Sequence, residues 1–196
     1  MDPLPAPQSS GRGAQRILVA AAVIHAALFA LHARFTFADI VTPRATTPAD
    51  RMGPFTAGFD AVGYYAWLRP PLVGGDFDFA DEFDSSMVLL HGPGAEFPRT
   101  AAGRTSNPWP VGPAIVWAPA VVTVHLLPRG LGPHSPWPAD GFSAPYQLAV
   151  GFTTLALAVL TLVLTYRIAR RFAGPTAAAS SAALLTLGTP LIGPSR

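Results

Sequence analysis

Long apolar runs broken by short polar turns set the plan of this chain. The first run, ILVAAAVIHAALFALHA, lies between Arg16 and Arg34. At a rise of about 1.5 Å per residue, a helix over this run reaches the hydrocarbon thickness once Phe35 and Phe37 contribute. We read 16–35 as the first membrane helix, behind a disordered cytoplasmic N-terminus over 1–15. Arg12 and Arg16 hold that N-terminus in the cytoplasm by the positive-inside rule. A cleaved signal peptide is the rival reading. Its charged and apolar regions fit, but the exit LHARF is a poor small-residue cleavage site.

The second span is 146–166, YQLAVGFTTLALAVLTLVLTY, which carries no charge and runs into Arg167, Arg170 and Arg171. That basic cluster marks a cytoplasmic helix end. A turn over 167–175 leads into a third run, 176–193, whose small residues (AAASSAALL) suit close helix contact. The segment NPWPVGPAIVWAPAVVTVHLL is apolar enough to cross, yet a crossing there would put RIARR outside. Pro108, Pro110, Pro113 and Pro119 also argue against a continuous helix. We read 110–127 as an interfacial or re-entrant helix on the outer face, with Trp109 and Trp117 near the headgroups. The fold class is thus all-α integral membrane, a multi-pass cell-membrane protein. It has three transmembrane helices and a long outer loop, 36–145, carrying juxtamembrane helices near 59–69 and 110–127.

Composition agrees. The chain has 196 residues, 50% hydrophobic and only 12% charged, against about 25% charged in average soluble domains. All 13 basic residues are Arg and the net charge is +2, too little for a nucleic-acid partner. With no Cys, disulfides and thiol catalysis are excluded, and 22 Pro with 18 Gly rule out a long coiled coil. The charge is unevenly spread. Residues 35–109 hold nine acids against five Arg, a net of −4, whereas 1–34 and 110–196 are net positive.

The acidic loop holds the candidate chemistry. In GFDAVGYYAWLR, ended by Pro70-Pro71, a helix would place Asp60, Tyr64 and Trp67 on one face. Asp60 is then either a carboxylate set among aromatic rings or simply the helix N-cap. GGDFDFADEFD follows, with Asp76-Phe77-Asp78 at its start. It fails as a calcium loop, lacking the Gly and Glu at the required positions. Without a nucleotide-binding α/β pattern, and with Phe77, Phe79 and Phe83 between the acids, the stretch reads as a partly buried surface turn with solvated carboxylates. No cofactor is predicted and no metal ligand assigned, although a divalent ion is left open. His25 and His32, seven apart, lack the i, i+4 spacing of a helical metal pair and read as neutral histidines at a helix contact or interface. His91, His125 and His134 form no ligand spacing, and GPGAEF lacks the context of a dinucleotide loop.

The order of these parts resembles the N-terminal portion of GT-C type polytopic membrane glycosyltransferases, the group containing protein O-mannosyltransferases and aminoarabinose transferases. GFDAVGYYAWLRPPLVGGDFDF is similar to the family's first-loop D-x-x-x-Y-Y element and its continuation. NPWPVGPAIVWAP is similar to the Pro-rich second juxtamembrane helix, APYQLAVGFTTLALAVLTLVLTYRIARRF to the next helix and Arg turn, and LLTLGTPLIG to the end of the third helix. The resemblance covers about 15–193, nearly all of this chain but only the first part of a typical member. It implies a polyprenyl-phosphate-linked sugar donor and an acceptor at the outer membrane face. It also implies that Asp60 is the catalytic carboxylate, with Asp76 and Asp78 in a structural continuation. Tyr64, Tyr65, Trp67, Arg69 and Arg104 are the candidate substrate-binding residues, with Arg99 a further available cation. The family's later loops have no counterpart before Arg196, so the expectation is an N-terminal part that is inactive alone.

Two readings from other classes stand beside it. One is a non-catalytic membrane anchor or assembly partner whose acidic outer loop binds a protein. A transporter subunit ranks last, because only His25 offers an ionisable group at mid-membrane depth. Sugar, acceptor and oligomeric state stay open.

Overall fold

In the computed structural model, the structure describes residues 11–41, 59–80, 82–83, 98–132 and 135–188, apart from the side chains of 32, 34–41, 128 and 131. Among these residues the secondary structure is helical except for one isolated antiparallel bridge between Arg99 and Thr105. The helices are α1 (Gly11–Val41), α2 (Phe59–Tyr65), α3 (Gly112–Leu131), α4 (Ala144–Ala169) and α5 (Pro175–Gly188), with a π-helical turn at Pro70–Gly74. Two segments, Gly11–Leu31 and Ala144–Ala169, are long and apolar enough to cross a membrane. Only 22% of each apolar window is buried in the protein, whereas a core helix of a soluble domain would be mostly enclosed.

The boundaries depart from the pattern-based ones in instructive ways. α1 starts at Gly11 and runs on to Val41, beyond the expected 16–35 at both ends. α3 is continuous despite its prolines. Pro108 and Pro110 precede it, and Pro113 sits in its first turn, where an N–H would have no intrahelical partner. At the interior Pro119, the Thr123 hydroxyl donates to the Pro119 carbonyl at 2.7 Å. α5 begins on Pro175, as the Gly174-Pro175 turn predicts, and the remainder of the expected third span lies outside the described residues.

The chain divides into two compact units, Met1–Ala30 with Thr154–Gly193, and Leu31–Thr153 with Pro194–Arg196. In the first, the core is made of Ala21, Leu162, Ala182 and Ala183, with Ile17, Leu18, Ala22 and Tyr166 against them. The buried positions of α5 are Ala178, Ala179, Ala182, Ala183 and Thr186, a stripe of small side chains that lets helix backbones approach closely. Large apolar side chains point the other way: Val19, Val23, Ile24 and Leu28 on α1, Leu160, Val163, Leu164 and Ile168 on α4, and Leu184 on α5 are exposed. Small residues inside and large apolar ones outside is an arrangement suited to apolar solvation of the helices. His25 is buried, its Nδ1 2.8 Å from the Ala21 carbonyl one turn earlier. The side chain of His32 is outside the described set.

The second unit has two apolar clusters. Tyr65, Leu68, Ala114, Val121, Tyr146, Ala149 and Val150 join α2, α3 and the start of α4. Val62, Ala66, Phe79 and Phe83 form the other, with Trp67 and Trp109 packed against it. These clusters position the candidate site.

Candidate functional site

α2 is short for local reasons. After Tyr65 the chain tightens, with the Leu68 N–H donating to the Tyr65 carbonyl at 2.9 Å. Pro70 and Pro71 then supply no N–H, and the wider π turn closes through the Gly75 N–H to the Pro70 carbonyl at 2.9 Å. Within the predicted 59–69 segment the regular α-helix covers Phe59–Tyr65; Trp67 lies just beyond it, and Asp60 and Trp67 both bond Trp109.

Asp60 lies inside the first turn of α2 and is exposed. Its Oδ1 accepts a hydrogen bond from the indole Nε1–H of Trp109 at 2.9 Å. Among the described residues the carboxylate is thus engaged by a side chain 49 residues away. Trp109 is fixed from several directions. Its carbonyl accepts the Trp67 indole N–H at 2.8 Å, and its own N–H donates to Asn107 Oδ1 at 3.0 Å. The Asn107 side-chain amide reaches the Gly63 carbonyl on α2 at 2.8 Å. Phe83 lies 5.5 Å from the Trp109 ring, and Phe79 meets Trp67 edge-on at 5.1 Å. Gly63 is what allows the approach, since a Cβ there would fall 2.1 Å from Trp109 Cδ2.

The other candidate residues divide between the site and its frame. Tyr64 is half-buried, edge-on to Trp117 of α3 at 6.5 Å. Tyr65 is buried and its hydroxyl donates to the Gly141 carbonyl at 2.5 Å. Burial pushes its phenol well above the ordinary tyrosine range; Tyr146 adds to the rise and Arg69 opposes it. Arg69 is largely enclosed. Its Nη1 pairs with Glu82 at 2.5 Å, its Nε donates to the Asp140 carbonyl at 2.9 Å, and its guanidinium carbon sits 4.2 Å from the Phe142 ring centre. Arg99 and Arg104 are exposed on the bridged loop Pro98–Ser106, and Arg104 bonds there through its backbone to Thr100. The loop is joined to α2 through Asn107.

The acidic stretch is a surface turn of local hydrogen bonds. Asp76 Oδ1 accepts the Asp78 N–H at 3.0 Å and Asp78 Oδ1 the Ala80 N–H at 3.2 Å. A cavity of about 220 Å³ lies beside it, lined by Arg69, Val73, Asp76, Asp78 and Glu82 among others. Among the described residues no group of three or more His, Asp or Glu side chains converges on a point where a metal could sit. His91, His134, Asp81, Asp84 and the GPGAEF segment lie outside the described residues.

Sequence spacing missed two features. Glu82, placed among solvated acids, is buried as the partner of Arg69. His125, without a ligand spacing, is buried on α3 with Nδ1 2.7 Å from the Tyr146 hydroxyl. Burial lowers its pKa from the ordinary value and the charge of Arg129 lowers it further, while the Leu72 carbonyl opposes them. Residue spacing and the charge count carry no trace of either arrangement. Searches for similar proteins found no family profile, curated protein or solved structure that matches this chain.

Proposed function

We propose that this chain is the acid-bearing, N-terminal part of a membrane glycosyltransferase of the GT-C type. It works on a polyprenyl-phosphate-linked sugar at the non-cytoplasmic face of a cell membrane. The single observation that supports this most is the exposed Asp60 carboxylate, held by the Trp109 indole N–H. The topology belongs to the same proposal: a cytoplasmic N-terminus, three spans with the last over 176–193, and α2 and α3 at the outer surface.

In this reaction the acceptor hydroxyl oxygen attacks the anomeric carbon as the bond to the donor phosphate oxygen breaks. The electron pair leaves with the phosphate, and the acceptor proton passes to Asp60. General-base assistance of this kind contributes about 10²–10⁴-fold. The departing phosphate calls for positive charge. Arg104 supplies it, with Arg99 on the same exposed loop, because Arg69 is committed to Glu82, Asp140 and Phe142. Tyr64 lines the acceptor side; Tyr65, Trp67 and Arg69 hold the frame.

The test places the protein in lipid vesicles with a photoreactive polyprenyl-phosphate sugar. Labelling that maps to 59–80 or 98–117, and survives Asp60→Asn, is the expected result. Absence of labelling overturns the proposal. Sugar transfer that persists in Asp60→Asn removes the catalytic assignment while leaving donor binding in place.

A further inference from the structure

We infer that Trp109 is the positioning residue for Asp60, and that Gly63, Asn107 and Trp67 form the lock that aims its indole. The inference rests on the reading of Asp60 as the reacting carboxylate and adds the group that orients it.

The geometry carries it in three steps. An aspartate on an exposed first helical turn rotates freely about its side-chain bonds unless something holds it, and general-base work requires placement within hydrogen-bond reach of one proton. Here one oxygen, Oδ1, takes the Trp109 indole N–H at 2.9 Å, which fixes the carboxylate plane. A donor that itself wandered would be of no use. Trp109 is instead held by its backbone carbonyl (to Trp67), by its backbone N–H (to Asn107) and by its ring face (against Gly63). The Asn107 side chain closes the loop by bonding the Gly63 carbonyl, three residues from Asp60 on α2. The acid and its orienting donor are thus tied together by two independent links. An indole suits the task because it donates one hydrogen bond in a direction set by a rigid ring, and it never accepts or titrates.

The experiment uses the full chain in nanodiscs with ¹⁵N-labelled tryptophan. The Trp109 indole resonance is identified by its loss in Trp109→Phe. Its hydrogen exchange is expected to be at least about tenfold faster in Asp60→Ala, and to return close to the wild-type rate in Asp60→Asn, which keeps an Oδ1 acceptor. Carbodiimide coupling at Asp60, followed by mass spectrometry, is expected to rise several-fold in Trp109→Phe and to stay unchanged in Trp117→Phe. Exchange that is indifferent to Asp60→Ala, or coupling that is indifferent to Trp109→Phe, overturns the positioning role. Neither readout uses a sugar donor. A chain that shows both effects but no donor labelling keeps the clamp and loses the glycosyltransferase reading, so the two failures are told apart.

Discussion

Arg69 and Glu82 form an ion pair at 2.5 Å in which the side chains are only 12% and 2% exposed. The pair ties the π turn to the acidic stretch, while the Arg69 Nε reaches the Asp140 carbonyl in the loop ahead of α4. Charged groups this enclosed depend on each other: removing one leaves the other buried without its counter-charge. Arg69→Met is therefore expected to destabilise the second unit by about 3–5 kcal/mol. Adding Glu82→Leu to that variant should recover much of the loss. Thermal unfolding in detergent reads both, and a double variant no more stable than Arg69→Met would refute the coupling.

Gly63 lies directly against the Trp109 ring, with no room for a Cβ. Gly63→Ala drives a methyl group into the Trp109 indole, where the Cβ would lie 2.1 Å from Cδ2. The ring has to move, and overpacking of this sort costs about 1–3 kcal/mol. The expected outcome is a red shift of tryptophan emission with a lower unfolding temperature. Emission that matches the wild type would show that the helix yields and the ring stays.

Tyr65 gives a test on the alkaline side. Its hydroxyl bonds the Gly141 carbonyl and burial holds its pKa well above 10, so the folded protein keeps a proton that the unfolded chain releases. The corresponding stability is complete below about pH 10 and falls as the pH rises beyond it. Tyr65→Phe should flatten that alkaline fall and cost about 1 kcal/mol at neutral pH. Unfolding midpoints from pH 8 to 11 in both proteins decide the matter.

His125 acts at the other end of the scale. Its folded pKa is depressed by burial and by Arg129, so the unfolded chain takes up a proton first on acidification. Stability from this group is full above about pH 6.5 and is lost as the pH falls from there through the lower folded value. His125→Gln is expected to reduce the drop in unfolding temperature between pH 7 and pH 5. An unchanged acid slope would assign that drop to other groups.

Topology is open to direct labelling because the chain contains no cysteine. A membrane-impermeant thiol reagent applied to intact cells should modify Asp60→Cys and spare Ala173→Cys in the basic turn. Modification of residue 60 only after the membrane is opened would reverse the proposed orientation and with it the site.

The helices themselves were readable from local chemistry. Runs such as ILVAAAVIHAALFALHA and LAVGFTTLALAVLTLVLT carry their own driving force, so α1 and α4 follow from composition alone. So does the stop before α5, where Gly174-Pro175 acts within a few bonds. Counting prolines misjudged α3: Pro113 sits in the first turn, where its missing N–H has no intrahelical partner, and the helix continues through the interior Pro119. Asp60 could be singled out along the chain, but its partner could not. Trp109 and Gly63 meet across 46 residues, through a contact that spacing does not encode. The same holds for Glu82, which local composition places in water and long-range packing puts under Arg69. Short-range forces select helices one segment at a time. Which side chains share a site is settled only when those segments pack, since burial and hydrogen-bond direction exist only between them.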